Sequence, residues 1–581
     1  MRPGKKFTRG VLPSLLCLVA MLIAACGGHT SPTTGSHAKA PQNRQVLVSG
    51  AEAGTADIKT LDPGLSTDAL SIAAIENVFT GLVELDDHLN VVDQLAQSHQ
   101  IMPDGVTYKF TLRSGLKFSD GTDLTSQDVV YSINRALNPA TNSPTGPFYL
   151  KYIKDSDKFE AGKIKTLIGD SLLAPTPSTV VIITDKKYSF FLDALTYSCS
   201  FVVEKSLIDQ YGIKWTDHLT EGGGDGPFKV SRYIHGREID FVPNPNYYGP
   251  HPQLAKLLYP FYQQAPTVYQ AYLANQVDST YIPTSFFVQD KSRPDFHQEP
   301  TLAINYYTMN YKKKPFDDIK IRQAFALAIN KDLIVHTIWK DTFIPTNHII
   351  PQGMPGYYAG LTGPAGVKGT AGDPTLARQL FQQGLQEEHY ASTAQLPPIT
   401  LTLSSGGDPT TKNEAAALQQ MWQSVLGVNV QTNDIDFNTL VQDTSLGSNN
   451  PLQFYAGPAW SADYPDPQDW TTLLFDKGTG QNSMNYGQNN ATDAAAQQAN
   501  QQAMEQADSA PIGPARLAMY NQVEQQLVND VAWLPMEQQT ASGLHKPCVR
   551  GGAANPLGLT PPNDWANIYI STDMPCVNAS V

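Results

Sequence analysis

The first 26 residues constrain this chain most, because they set the compartment in which every later segment must fold. Arg2, Lys5, Lys6 and Arg9 give a basic start, Val11 to Ala24 an apolar run of about fourteen residues, and Ile23-Ala24-Ala25-Cys26 a cleavage signal with small residues before a thiol. The apolar run is shorter than the roughly 20 residues a bilayer span needs. Residues 1–25 therefore read as an export signal, with Cys26 as the lipidation site and first residue of the mature chain. An ordinary secretory signal ending beside a cysteine is the alternative. Past Cys26 no stretch reaches a transmembrane length of apolar residues, so a lipid alone would hold the protein to a membrane.

Export also decides how the cysteines read. Of five, Cys17 leaves with the signal and Cys26 takes the lipid, which leaves Cys199, Cys548 and Cys576. An extracytoplasmic setting permits a staple between Cys548 and Cys576 with Cys199 free; three buried thiols is the other reading. The net charge of −14 argues against nucleic acid as a partner, since that binding needs clustered Lys and Arg and no basic stripe is present. A length of 581 residues allows several cores.

Residues 26–44, rich in Gly, Ser, Thr and Pro, carry too little apolar surface to order themselves and read as a lipidated flexible tether. After the Asp104-Gly105 turn, Tyr108, Phe110 and Leu112 alternate as a half-buried strand. Val129, Val130, Ile133, Ala136 and Leu137 then share one helical face, with Thr125 and Asp128 spaced as a capping box. Asp318 leads into a helix through Ala324, Phe325, Ala328 and Ile329. Leu418, Met421, Trp422 and Val425 mark another helix, stopped by Gly427 and flanked by strands at Ile399-Leu401-Leu403 and Val428-Val430. Leu517, Tyr520 and Leu527 mark a late helix. The class is α/β or α+β in several domains, without a repeat of fixed period.

Catalytic signatures are missing: no His-Glu-x-x-His, Cys-x-x-Cys, Gly-x-Ser-x-Gly or Walker loop occurs. Gly222 to Gly226 reads as a structural turn, because no Lys-Ser/Thr follows at phosphate-loop spacing. Asp434, Asp436 and Asn438 lack the Gly and the twelfth-position Glu of a calcium loop, and the histidines lack metal-ligand spacing. No metal, cofactor or enzymatic activity is expected. The informative constellation is Gly457 to Leu474, GPAWSADYPDPQDWTTLL. There Trp460, Tyr464 and Trp470 supply apolar faces with polar tips, and Asp463 supplies a carboxylate beside them, the chemistry that holds an ammonium group.

An ordered series of segments resembles the extracytoplasmic solute-binding proteins of ABC importers, the oligopeptide- and dipeptide-binding family. It comprises Leu61-Asp62-Pro63, Gly81-Leu82-Val83, Tyr108 to Thr122 running into Asp128 to Arg135, Gly226-Pro-Phe-Lys229, Asn244 to Tyr248, Pro315 to Asp318 with Arg322 to Asn330, and Trp460-Ser-Ala-Asp-Tyr464. The resemblance implies an α/β, periplasmic-binding-protein-like fold of two lobes hinged about a cleft, with an extra α+β domain built into lobe one. By analogy lobe one combines 45–79, 177–301 and 537–581, the extra domain is 80–176, and lobe two is 302–536. The implied function is a membrane-tethered receptor that captures peptides and delivers them to an ABC permease with its ATPase subunits, acting as a monomer. The same fold in relatives also binds nickel chelates, sugars or antibiotics, and an exported hydrolase or a transport-deficient sensor are readings from other classes. The resemblance assigns the ligand's α-amino group to Asp463 and the adjacent pocket to Trp460 and Tyr464, with Thr67 as a candidate by position. Basic residues that hold the ligand's carboxylate in some relatives are replaced here by Gly457 and, on an ungapped count, Trp339, with Lys340 and Arg237 as conceivable substitutes.

Overall fold

The computed structural model describes residues 37–50, 56–445, 449–552 and 555–581, so the expectations for the signal, for Cys26 and for the tether up to residue 36 lie outside the described residues. Three sheets organise the chain from Lys39 on. The first has the strand order Val46–Val48, Lys256–Pro260, Glu238–Pro243 and Phe228–Ile234, with a parallel first pair and antiparallel neighbours.

The second is a four-stranded antiparallel sheet in the order Ala96–Ile101, Thr107–Leu112, Thr179–Ile183 and Leu172–Thr176. The alternation read in the sequence sets its inner face: Tyr108, Phe110 and Leu112 are buried, and Phe110 lies opposite Val180. The helix Ser126–Leu137 covers that face with Val129, Val130, Ile133, Ala136 and Leu137. Its start is fixed reciprocally, since Thr125 Oγ1 accepts from Gln127 N at 3.3 Å and the Asp128 carboxylate accepts from Thr125 N at 2.8 Å. The border expected at 176/177 falls in the turn of the Leu172–Thr176 and Thr179–Ile183 hairpin, whose side chains share one core with residues as far as Val202.

The third sheet has eight strands, in the order Ser279–Tyr281, Leu534–His545, Phe296–Met309, Phe454–Ala456, Ile399–Leu403 and Val430–Asp434, with Ile344–Pro345 and Trp460–Ser461 paired at its side. Its two long central strands are antiparallel, and their register shifts between Pro300 and Ile304 and again between Asn305 and Tyr306. The borders expected at 301/302 and 536/537 fall inside these strands. Beyond them the helix Pro409–Leu426 links two parallel strands, as such a crossover requires. Asp408 caps it by accepting from Thr411 N at 2.9 Å, Pro409 occupies the first turn, and Gly427 ends it at φ 69°. The following strand starts at Val430, two residues later than the sequence reading.

Two smaller readings were open at the termini. Cys548 and Cys576 form a disulfide with a Cα–Cα distance of 5.7 Å, and Cys199 is a free, buried thiol. Residues 39–44 correct the tether expectation, because they are packed: Lys39 bridges to Ser571, Ala40 N donates to Ile570 O at 2.9 Å, and Gln42–Arg44 is a 3-10 turn. The cause is a partner far along the chain. The buried Gln45 amide donates to Ala40 O at 2.7 Å and Ile570 O at 2.9 Å, satisfying backbone that composition alone leaves solvated. The Gly222–Gly226 turn is structural as read, with a Cβ on Gly224 meeting Val78 O at 2.2 Å and Asp225 accepting from Thr80 N and Oγ1 at 2.9 Å. Asp434, the last residue of the strand Val430–Asp434, accepts from Ser405 N at 2.9 Å, and Asp436 accepts from Thr439 N at 3.0 Å. No helix among the described residues is long and apolar enough to cross a membrane.

Candidate ligand-binding site

The short strand Trp460–Ser461 pairs with Ile304 and Ala303 of the long strand Phe296–Met309, which seats the Trp-Ser-Ala-Asp-Tyr segment beside that strand. Trp460 packs against two cores at once, that of the four-stranded antiparallel sheet and that formed by Trp470, Tyr486, Val523 and Trp533. The next residues are locked from below. Asp466 accepts from Gln468 N at 2.9 Å to start the turn Pro467–Trp470, and Arg516 grips its carboxylate at 2.6 and 2.8 Å while donating to Ala507 O at 2.9 Å.

This frame presents Asp463, which keeps a partly open surface. Tyr149, at the end of the turn Gly146–Tyr149, donates its hydroxyl to Asp463 Oδ2, and the Tyr149 ring lies 4.1 Å from that of Tyr197. The Asp463 backbone N–H donates to Asp469 Oδ2 at 3.1 Å. Desolvation raises the Asp463 pKa to about 7 against the lowering pull of the Tyr149 hydrogen bond. Asp469 is pushed well above the usual carboxylate range by burial and then by the charge of Asp463; the Asp463 N–H and the Trp460 indole draw it down. No Lys, Arg or His among the described residues forms an ion pair with either carboxylate; Arg516 is committed to Asp466.

The residues singled out in the sequence have different fates. Asp463 and Trp460 stand together at the junction of two cores, and Tyr464 is 0% exposed, its hydroxyl donating to Gln468 Oε1 and its ring stacked on Phe190. Gln468 in turn donates to Tyr152 OH at 3.0 Å, so Tyr464 and Gln468 clamp the segment onto the core of the four-stranded antiparallel sheet. Thr67 is exposed with no recorded contact to Asp463; its neighbour Ser66 lies 3.0 Å from Ser198, next to Tyr197. The Leu61-Asp62-Pro63 motif has a structural task, with Asp62 accepting from Arg135 and from Trp215 Nε1 at 3.1 Å.

At Gly457 a Cβ would stand 2.1 Å from the Tyr306 ring, which stacks on Trp533 at 3.6 Å. Trp339 donates its indole N–H to Glu414 at 2.6 Å, Lys340 donates to Thr337 O, and Arg237 is exposed beside Glu238. None of these supplies a cation at the site. The sequence reading missed Tyr149, Tyr197 and Asp469. Tyr149 lies 314 residues from Asp463 in the chain, and no local pattern marks it.

A family model described as bacterial extracellular solute-binding proteins, family 5 Middle, matches residues 90–482. The oligopeptide-binding protein OppA of Bacillus subtilis (strain 168) is 25% identical over 493 residues, covering 82% of this chain and 85% of its own. The dipeptide-binding protein DppE of the same organism is 25% identical over 508 residues, covering 86% and 88%. The structure of the Escherichia coli murein tripeptide binding protein MppA superposes with a TM-score of 0.71 at 24% identity, over 92% of this chain and 100% of that one.

Proposed function

The chain belongs to the bacterial extracellular solute-binding proteins, family 5, and from that premise we propose that it captures peptides outside the membrane and delivers them to an ABC permease. The observation that carries the reading is Asp463, a half-buried residue whose carboxyl group is desolvated and, among the described residues, has no positive partner. Such a charge is stabilised when a cation enters and both are removed from water in good geometry. A peptide's α-amino group is that cation. In this reading Trp460 would wall the position beside it and Tyr464 supports the segment from inside the core, while Thr67, exposed on its loop, remains a pocket candidate by position alone. With Tyr306 filling the space at Gly457, recognition concentrates on the amino end.

Ligand binding shifts the population between open and closed arrangements about the two long strands, Phe296–Met309 and Leu534–His545. The lipid on Cys26 and the segment after it hold the receptor near its permease, raising the effective concentration of captured ligand there. Replacement Cys26→Ala is expected to move the protein from the membrane fraction to the medium and to leave its affinity unchanged. The function itself is tested by calorimetry with a panel of di- to pentapeptides, with product formation followed in parallel. Saturable binding without cleavage is expected, and turnover or no binding by any member would contradict the reading.

A further inference from the structure

We propose that Gln538 is a positioning residue for the ligand site: its side-chain amide holds a bulge in the strand Phe296–Met309, and the bulge holds the segment that carries Asp463. This rests on the reading of Asp463 given above. In the pairing of the two long strands Pro300 lies opposite Thr540 and Ile304 opposite Gln538, so Thr301, Leu302 and Ala303 stand against Gln539 alone. The surplus residues turn toward the Trp460–Ser461 side. Ala303 pairs with Ser461 and Ile304 with Trp460, and Leu302 O accepts from Ala462 N at 2.8 Å, one residue before Asp463. A bulge bends its strand and re-aims what lies beside it, so the direction of Asp463 follows from how this bulge is held.

Gln538 holds it through backbone. Its Nε2 donates to Thr301 O at 2.9 Å and to Gln352 O at 2.9 Å, and its Oε1 accepts from Gln352 N at 3.0 Å. Thr301 has no partner in the strand register, and the amide takes the place of one. Gln538 is 2% exposed, so these bonds are made away from water, where an unbonded amide is costly. The loop it grips also touches the bulge directly, since a Cβ on Gly353 would stand 3.1 Å from Leu302 Cδ2. Leu302 is buried in the core that Trp460 packs against. One buried amide thus joins the bulge and the Gln352–Gly353 loop, and the bulge passes that constraint to Trp460, Ser461 and Ala462.

The test uses the full chain and the tightest binder of the peptide panel, titrated in its free and N-acetylated forms against wild type and Gln538→Leu. The variant should bind the free form roughly tenfold more weakly, a part of what losing the Asp463 charge costs, and the acetylated form within about twofold of wild type. A brace that serves stability alone lowers the melting temperature and leaves the preference for the free form intact, and that result overturns the proposal. Hydrogen exchange of the wild type decides the matter if Gln538→Leu does not fold. Saturating peptide should slow the amides of Ala462 and Gln352 together, because each is bonded into the same brace. Protection of Ala462 with no change at Gln352 overturns the coupling. Equal wild-type affinity for the two peptide forms overturns the Asp463 reading and this proposal with it, whereas a wild-type preference that Gln538→Leu preserves removes the proposal alone.

Discussion

Asp463 loses water around its carboxyl group, and Tyr149 returns only one hydrogen bond, so the group holds a proton to about pH 7 in the absence of ligand. Replacement Asp463→Asn keeps the shape and removes the charge. Peptide binding should weaken by about 2 to 5 kcal/mol, read by calorimetry. The same variant should melt no lower than the wild type at pH 8 without ligand, because it removes a charge that the fold does not compensate, a trade of stability for function. The aromatic and acidic residues of the Gly457 to Leu474 segment marked this candidate site in the chain alone. Asp469 was hidden, since as a letter it is one more acid in a Pro-Asp-rich turn. Only its burial and its bond to the Asp463 N–H set it apart.

Local periodicity located many of the elements. The alternation of Tyr108, Phe110 and Leu112, the Thr125–Asp128 cap and the Gly427 stop each correspond to structure within a residue or two, because short-range sterics and hydrogen bonds decide them. Residues 39–44 were illegible for the opposite reason, their partners lying at 570–581. At Gly457 the contact with Tyr306 also comes from another element, and Gly457→Ala should drive the ring off Trp533. A loss of about 1 to 3 kcal/mol is expected, seen as a lower melting temperature. Opening the Cys548–Cys576 bridge, which spans 28 residues, should cost about 3 to 4 kcal/mol by the chain-entropy argument, measured by denaturation of Cys548→Ser against wild type. Ligand affinity should survive that change, since the bridge belongs to the core around Phe228 and Trp565.

The whole molecule buries many acids at raised pKa: Glu76 and Asp193 to about 8, Asp225, Asp463 and Asp508 to about 7. Burial is the first cause in each. Between the unfolded carboxylate range near pH 4 and these values, the folded state binds more protons than the unfolded one, so stability falls as pH rises. His545, lowered to about 4, opposes the trend below its ordinary value, and Lys331, lowered to about 7, opposes it only above neutrality. The acids outnumber both, and the melting temperature without ligand should decline from pH 5 to pH 7. A saturating ligand should reverse part of that loss at neutral pH, by about 2.7 kcal/mol at one hundred times its dissociation constant. All of this converges on one claim, that the protein holds a peptide by its free amino end. Calorimetry of one peptide in its free and N-acetylated forms tests it most directly: the free form should bind far more tightly, and equal affinity for the two would contradict the account.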